Sequence, residues 1–102
     1  MAEERCWVKV HHSRTGEVVV AICDSELLGK RLKLSEGVYV DVSKSFYGGM
    51  LLNADELDKY IKQGTIVNLL GERAVNVAVK MGLVRESAVV MIDGVSHIQI
   101  FL

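Results

Sequence analysis

The chain switches between stretches of period two and stretches of period 3.6. Residues 6–12 set Cys6, Val8 and Val10 against Trp7, Lys9 and His11, the alternation of a strand. Residues 17–23 (EVVVAIC) are rich in β-branched side chains and supply a partner strand. Ser13-Arg14-Thr15-Gly16 is the turn between them. A two-residue turn at Thr15-Gly16 opposes Arg14 to Glu17 and Val8 to Cys23. In that register Val8, Val10, Val19 and Ala21 share one face, and Trp7, Val18, Val20 and Ile22 share the other. Both faces are apolar, so the hairpin is expected to be covered on both sides, by the rest of the domain or by a partner.

Residues 24–29 (DSELLG) read as a single helical turn, capped by Asp24 or Ser25 and ended by Gly29. Residues 31–34 are a short strand or extended loop. Residues 37–43 oppose Val38, Val40 and Val42 to Tyr39, Asp41 and Ser43, which predicts a half-buried strand. Ser45-Phe46-Tyr47-Gly48-Gly49 interrupts it with a loop whose glycines suit close approach of backbone to something else. Asn53 and Glu56 have capping-box spacing and open a helix with the stripe Leu57, Tyr60 and Ile61, closed by Gly64.

Thr65 is read as the cap of the longest helix, residues 66–81, in which Val67, Leu70, Ala74, Val77 and Met81 recur at three- and four-residue spacing. Val75, Ala78 and Val79 widen the stripe, so this helix is expected to be central. Asp93-Gly94 between two hydrophobic runs signals a type I′ hairpin with Ile92 opposite Val95 and Val90 opposite His97. His97, Gln99 and Phe101 then share one face, and Ile98, Ile100 and Leu102 the other. The predicted fold is α+β: a mostly antiparallel sheet of about five strands, two main helices packed on one face, in the order ββ–short α–β–αα–ββ.

Length and charge narrow the setting. The 102 residues suit a single domain over positions 1–102 with one core. A net charge of −1 gives no global basic field for nucleic acid or an anionic membrane. The acidic start and short apolar runs offer neither a secretory leader nor a membrane span. Cys6 and Cys23 are too few for a disulfide framework or a zinc site, so a cytoplasmic setting with reduced thiols is expected, with no metal and no cofactor.

Five segments carry a family resemblance: CDSELLGK (23–30), FYGG (46–49), NLLGERAV (68–75), MGLV (81–84) and DGVSHIQ (93–99). In this order, over nearly the whole chain, they resemble the small archaeal family known as domain of unknown function 424. The family pattern usually has a proline where this chain has Ser96. The resemblance implies a small cytoplasmic archaeal protein without an established activity, and it supplies no catalytic residues. A link to translation or RNA metabolism is a base-rate expectation only.

The chemistry-bearing residues each admit a plain reading and a sharper one. Asn68 lies inside the apolar arc of the predicted helix, with Glu72 at its edge. A polar group there needs partners, either the FYGG backbone or a pocket. His97 is a structural histidine or a general base. His11 and His12 are adjacent in a strand, point to opposite faces and cannot chelate together. Cys23, beside the start of a helical turn, is a buried thiol or an activated nucleophile. The Phe46-Tyr47-Gly48-Gly49 segment closes the core or receives a ligand, where aromatics could stack on bases. Lys9, His11, His12 and Arg14, with Lys30, Arg31 and Lys33, could form one basic patch, diluted by Glu17, Glu26 and Glu36.

Three functions follow as expectations. The first is a non-enzymatic binding module that holds a protein or RNA partner through Phe46, Tyr47, Gly48, Gly49, Asn68, Glu72, His97 and Gln99. The second is a small hydrolase using Cys23, Glu72 and His97. The third is a homodimer formed through Trp7, Val18, Val20 and Ile22.

Overall fold

The computed structural model describes residues 4–102. Its centre is a six-stranded mixed sheet built from β1 (Arg5–His12), β2 (Val18–Asp24), β5 (Met50–Asn53), β6 (Ile66–Leu70), β7 (Val90–Ile92) and β8 (Val95–Phe101), in the spatial order β5-β1-β2-β6-β8-β7. All neighbours are antiparallel except β2 and β6, which run parallel. A separate antiparallel pair, β3 (Arg31–Ser35) and β4 (Val38–Asp41), forms a small second sheet. The helices are short: α1 (Lys44–Tyr47), α2 (Asp58–Ile61) and α3 (Glu72–Lys80).

The fold is α+β and mostly antiparallel, but the expected 16-residue helix is two elements. Its first part, Ile66–Leu70, is the central strand β6; only 72–80 is helical. Gly71 divides them at φ 108° and ψ 152°, a conformation open essentially to glycine alone. The wide apolar arc had a different cause from the one inferred: a strand buried on both faces reads as a nearly continuous hydrophobic run. Thr65 therefore caps no helix. Its hydroxyl accepts from Val18 N–H at 2.9 Å, and its own N–H donates to Val18 O at 2.8 Å, joining the starts of β2 and β6. The segment 50–53, unassigned from sequence, is edge strand β5.

The first hairpin is shifted by one residue from the expected register. Val8 opposes Ile22 and Val10 opposes Val20. Ser13 causes the shift: its N–H donates to Glu17 O, and its hydroxyl accepts from Glu17 N–H, so the loop is longer than a two-residue turn. A one-residue slip exchanges faces. One face of the sheet now carries the rows Val10–Val20–Val67–Ile100 and Val8–Ile22–Leu69–Ile98. Leu57 and Ile61, with Ala74, Val75 and Ala78 of α3, pack on these rows.

The opposite face carries the rows Trp7–Cys23–Leu70–His97–Val90, Lys9–Ala21–Asn68–Gln99 and His11–Val19–Ile66–Phe101. A second core of Ala21, Cys23, Leu27, Leu32, Val42, Tyr47 and Leu70 covers part of it. The expected two-sided cover of the hairpin is thus supplied from within the chain. Val20 and Ile22 have no exposed surface, and Trp7 lies on the opposite face from Val18, so these four residues form no common outer surface for a dimer.

The last hairpin forms as read. Asp93 at φ 52° and Gly94 at φ 76° make the turn, Ile92 opposes Val95, and Val90 opposes His97. The Asn53–Glu56 capping box is also present, with Glu56 accepting from Asn53 N–H at 3.0 Å, but it opens a 3-10 turn, Ala54–Glu56, ahead of the four-residue α2, not the single main helix expected there.

Candidate functional site

The site lies on the second face, under the β3–β4 arm. Ser43 caps α1 by accepting from Phe46 N–H at 3.2 Å, so the Phe-Tyr-Gly-Gly segment begins as a helical turn, not a free loop. A Cβ on Gly49 would collide with the carbonyl oxygen of Val8, and one on Gly48 would lie 2.6 Å from Lys44 O. The close approach expected of these glycines is therefore to strand β1 and to α1 itself. They shape the site without lining it.

α1 directs its two aromatic residues to the sheet. The Phe46 ring stacks on His11 at 5.1 Å between centroids, and His11 Nε2 lies 2.8 Å from Phe46 O. Tyr47 packs edge-on to Phe46 at 4.8 Å and donates its hydroxyl to Asn68 Oδ1 at 2.7 Å. Burial, and secondarily the nearby Cys23, raises the Tyr47 phenol above its usual range, so it remains a donor. This bond answers the requirement that a half-buried asparagine find a partner, and it fixes the amide so that both Nδ2 hydrogens are left for another acceptor.

A half-open cavity of about 340 Å³ results, lined by Leu34, Val40, Asp41, Ser43, Phe46, Tyr47, Asn68, Leu70, Ile92 and His97. The wall is mainly apolar, with a few polar groups that converge, the general form of a ligand pocket. Asp41 at its edge is held by Arg31 at 2.8 Å, which lowers the carboxyl's pKa. Burial lowers the pKa of His97, so its ring is neutral at pH 7 and offers one donor and one acceptor. No group among the described residues hydrogen-bonds that ring. The roof is fastened to the last hairpin, where Lys33 N–H donates to Asp93 Oδ2 at 3.0 Å.

Four of the residues singled out from sequence therefore meet: Phe46, Tyr47, Asn68 and His97. Gln99 stands next to Asn68 in the same row and is exposed. Glu72 does not belong with them. It lies in the first turn of α3, where it borders a shallow groove with Val75, Val79, Glu86 and Met91. The lining residues of β3 and β4 were missed, because nothing local in sequence says where a separate two-stranded arm folds.

The hydrolytic set of Cys23, Glu72 and His97 is not assembled. Cys23 and His97 share a row, but Leu70 stands between them, two strand spacings or roughly 10 Å of backbone apart. Burial and then the Asp24 charge push the Cys23 thiol up to about 12, the reverse of activation. Asp24 does not cap the turn that follows it either. It is 4% exposed and reaches across to α3, accepting from Arg73 N–H at 3.1 Å and Ala74 N–H at 2.9 Å. A larger depression, about 570 Å³, lies between the 54–58 segment and α3, lined by Glu4, Asp55, Asp58, Val77, Lys80 and Met81 among others. Its polar groups are mostly solvated carboxylates, so the smaller cavity, where the Asn68 Nδ2 and the His97 imidazole have no partner among the described residues, is the better-built site. No cluster of His, Cys, Asp and Glu among the described residues has the form of a metal site, and no described helix is long and apolar enough to cross a membrane.

Fold and cavity together define an α+β protein with a mixed sheet, α2 and α3 on one face, and α1 with the β3–β4 arm framing a small recess on the other. The chain belongs to the family described as "Protein of unknown function (DUF424)", whose model matches residues 11–102. It is similar to a solved structure described as that of "an uncharacterized conserved protein from Methanopyrus kandleri", with 34% identity and a TM-score of 0.83, covering 95% of this chain and 90% of that one. No curated protein matches the sequence.

Proposed function

We propose that the protein is a non-enzymatic binding module that receives part of a partner in the cavity under the β3–β4 arm. The observation that carries this reading is the pairing of an apolar wall with two polar groups, the Asn68 Nδ2 and the His97 imidazole, that no described residue hydrogen-bonds. The separation of Cys23 from His97 by Leu70 argues against hydrolysis at the same place. Two free thiols, buried on opposite faces of the sheet, fit a reducing cytoplasm. The partner, protein or RNA, would belong to translation or RNA metabolism.

The test is cross-linking in native archaeal lysate with the wild-type chain and with Leu34→Trp. Leu34 is 54% exposed and lines the cavity, so a larger ring there blocks the mouth without disturbing the core. A partner recovered by the wild type and lost with Leu34→Trp supports the reading. The same set of partners from both chains, or none from either, overturns it.

A further inference from the structure

The cavity's chemistry points to one class of ligand. None of its lining residues is a lysine or arginine, and its one carboxylate is already tied to Arg31, so the group it accepts is uncharged. Its walls are aliphatic side chains and the two aromatic rings of Phe46 and Tyr47. Its free polar groups are an amide presenting N–H donors and a neutral imidazole presenting a donor and an acceptor. An uncharged, flat group with alternating donors and acceptors on its edge satisfies all three conditions, and that is a nucleobase.

The open part of the same face indicates how the base is delivered. Beyond Asn68 the sheet continues with Gln99 and Phe101, and Phe101 is 72% exposed. The two rows on this side consist of Lys9, Ala21, Asn68 and Gln99, then His11, Val19, Ile66 and Phe101, with no acidic residue among them. Lys44, exposed on α1, follows the lining residue Ser43. An exposed aromatic side chain beside two strand rows without acidic residues, with Lys9 in one of them and Lys44 on α1, is a platform for stacking a base and passing a phosphate backbone.

Building on the binding-module reading, we infer that the cavity takes one unpaired nucleobase from a single nucleic-acid strand, read by Asn68 and His97, while the neighbouring base stacks on Phe101. Titration of the full-length, isotopically labelled chain with the four nucleosides and with RNA and DNA tetranucleotides of each base tests this by NMR. The expected result is saturable shifts of the Asn68 side-chain amide and of the 43–47 backbone with at least one base. Tetranucleotides should bind more tightly than nucleosides.

Asn68→Ser should weaken both kinds of probe by about tenfold, one lost charge-neutral pair of bonds. Phe101→Ala, at the surface, should weaken tetranucleotides at least about fivefold and leave nucleosides unchanged. Nucleosides binding as tightly as strands would keep the base assignment and overturn the strand. RNA and DNA arms show which strand is preferred. Absence of saturable shifts at millimolar concentration, or shifts indifferent to Asn68→Ser, overturns the inference. If Leu34→Trp still abolishes capture of a partner in that case, the binding module stands and its ligand is a protein side chain.

Discussion

At the scale of single residues, the most constrained point is where Asp24 meets Gly71. The carboxylate of Asp24 substitutes for a local cap on α3, and Cys6 Sγ lies 3.7 Å from Oδ1. Burial raises the acid's pKa, while the two backbone N–H bonds pull the other way. Asp24→Ala leaves two helix-end donors without a partner and should cost about 2–4 kcal/mol in urea unfolding. Gly71→Ala meets two penalties at once. Its φ of 108° is forbidden to alanine in practice, and the new methyl would fall on the Asp24 carboxyl. A loss of at least about 3 kcal/mol, or no folded protein, is expected from the same measurement. Asn68 is the instructive case for legibility. Its sequence position in an apolar run announced a polar group in need of a partner, and that held when the helix it was assigned to turned out to be a strand.

At the scale of elements, what could be read depended on how local the determining interaction is. The 90–101 hairpin was legible down to its register, because Asp93-Gly94 alone sets the turn. The first hairpin slipped by one because a side chain, Ser13, takes a backbone partner four residues on, which no pattern of apolar positions encodes. Strand β6 was illegible for another reason. Its parallel partner lies 47 residues earlier (Val20 to Val67), and a five-residue, mostly apolar segment does not announce its own period. Edge strand β5 depends on Gly49 lying against Val8. Gly49→Ala should detach β5 from β1, seen as faster amide exchange over 50–53 and a stability loss of about 1–3 kcal/mol.

At the scale of the molecule, the sheet separates two cores, and His97 belongs to the thinner one. Its pKa is lowered from 6.5 by burial. The unfolded chain takes up a proton near pH 6.5 and the folded chain does so only at lower pH, so stability falls as pH drops from about 6.5 through the lowered value. Urea midpoints near pH 7.5 and pH 5.5 should therefore differ more for the wild type than for His97→Gln, which carries no proton in either state. Asp24 titrates in both chains and cancels from the comparison.

The bond from Lys33 N–H to Asp93 has a mechanical consequence. The small sheet is a leaf hung from the main one, latched through the middle of β3 to a turn. Releasing the latch with Asp93→Asn, which keeps the turn geometry but weakens the acceptor, should let 31–41 exchange amide hydrogens well before β2 and β6 do. Entry to the recess would then be governed by how often that leaf swings free rather than by the stability of the sheet beneath it.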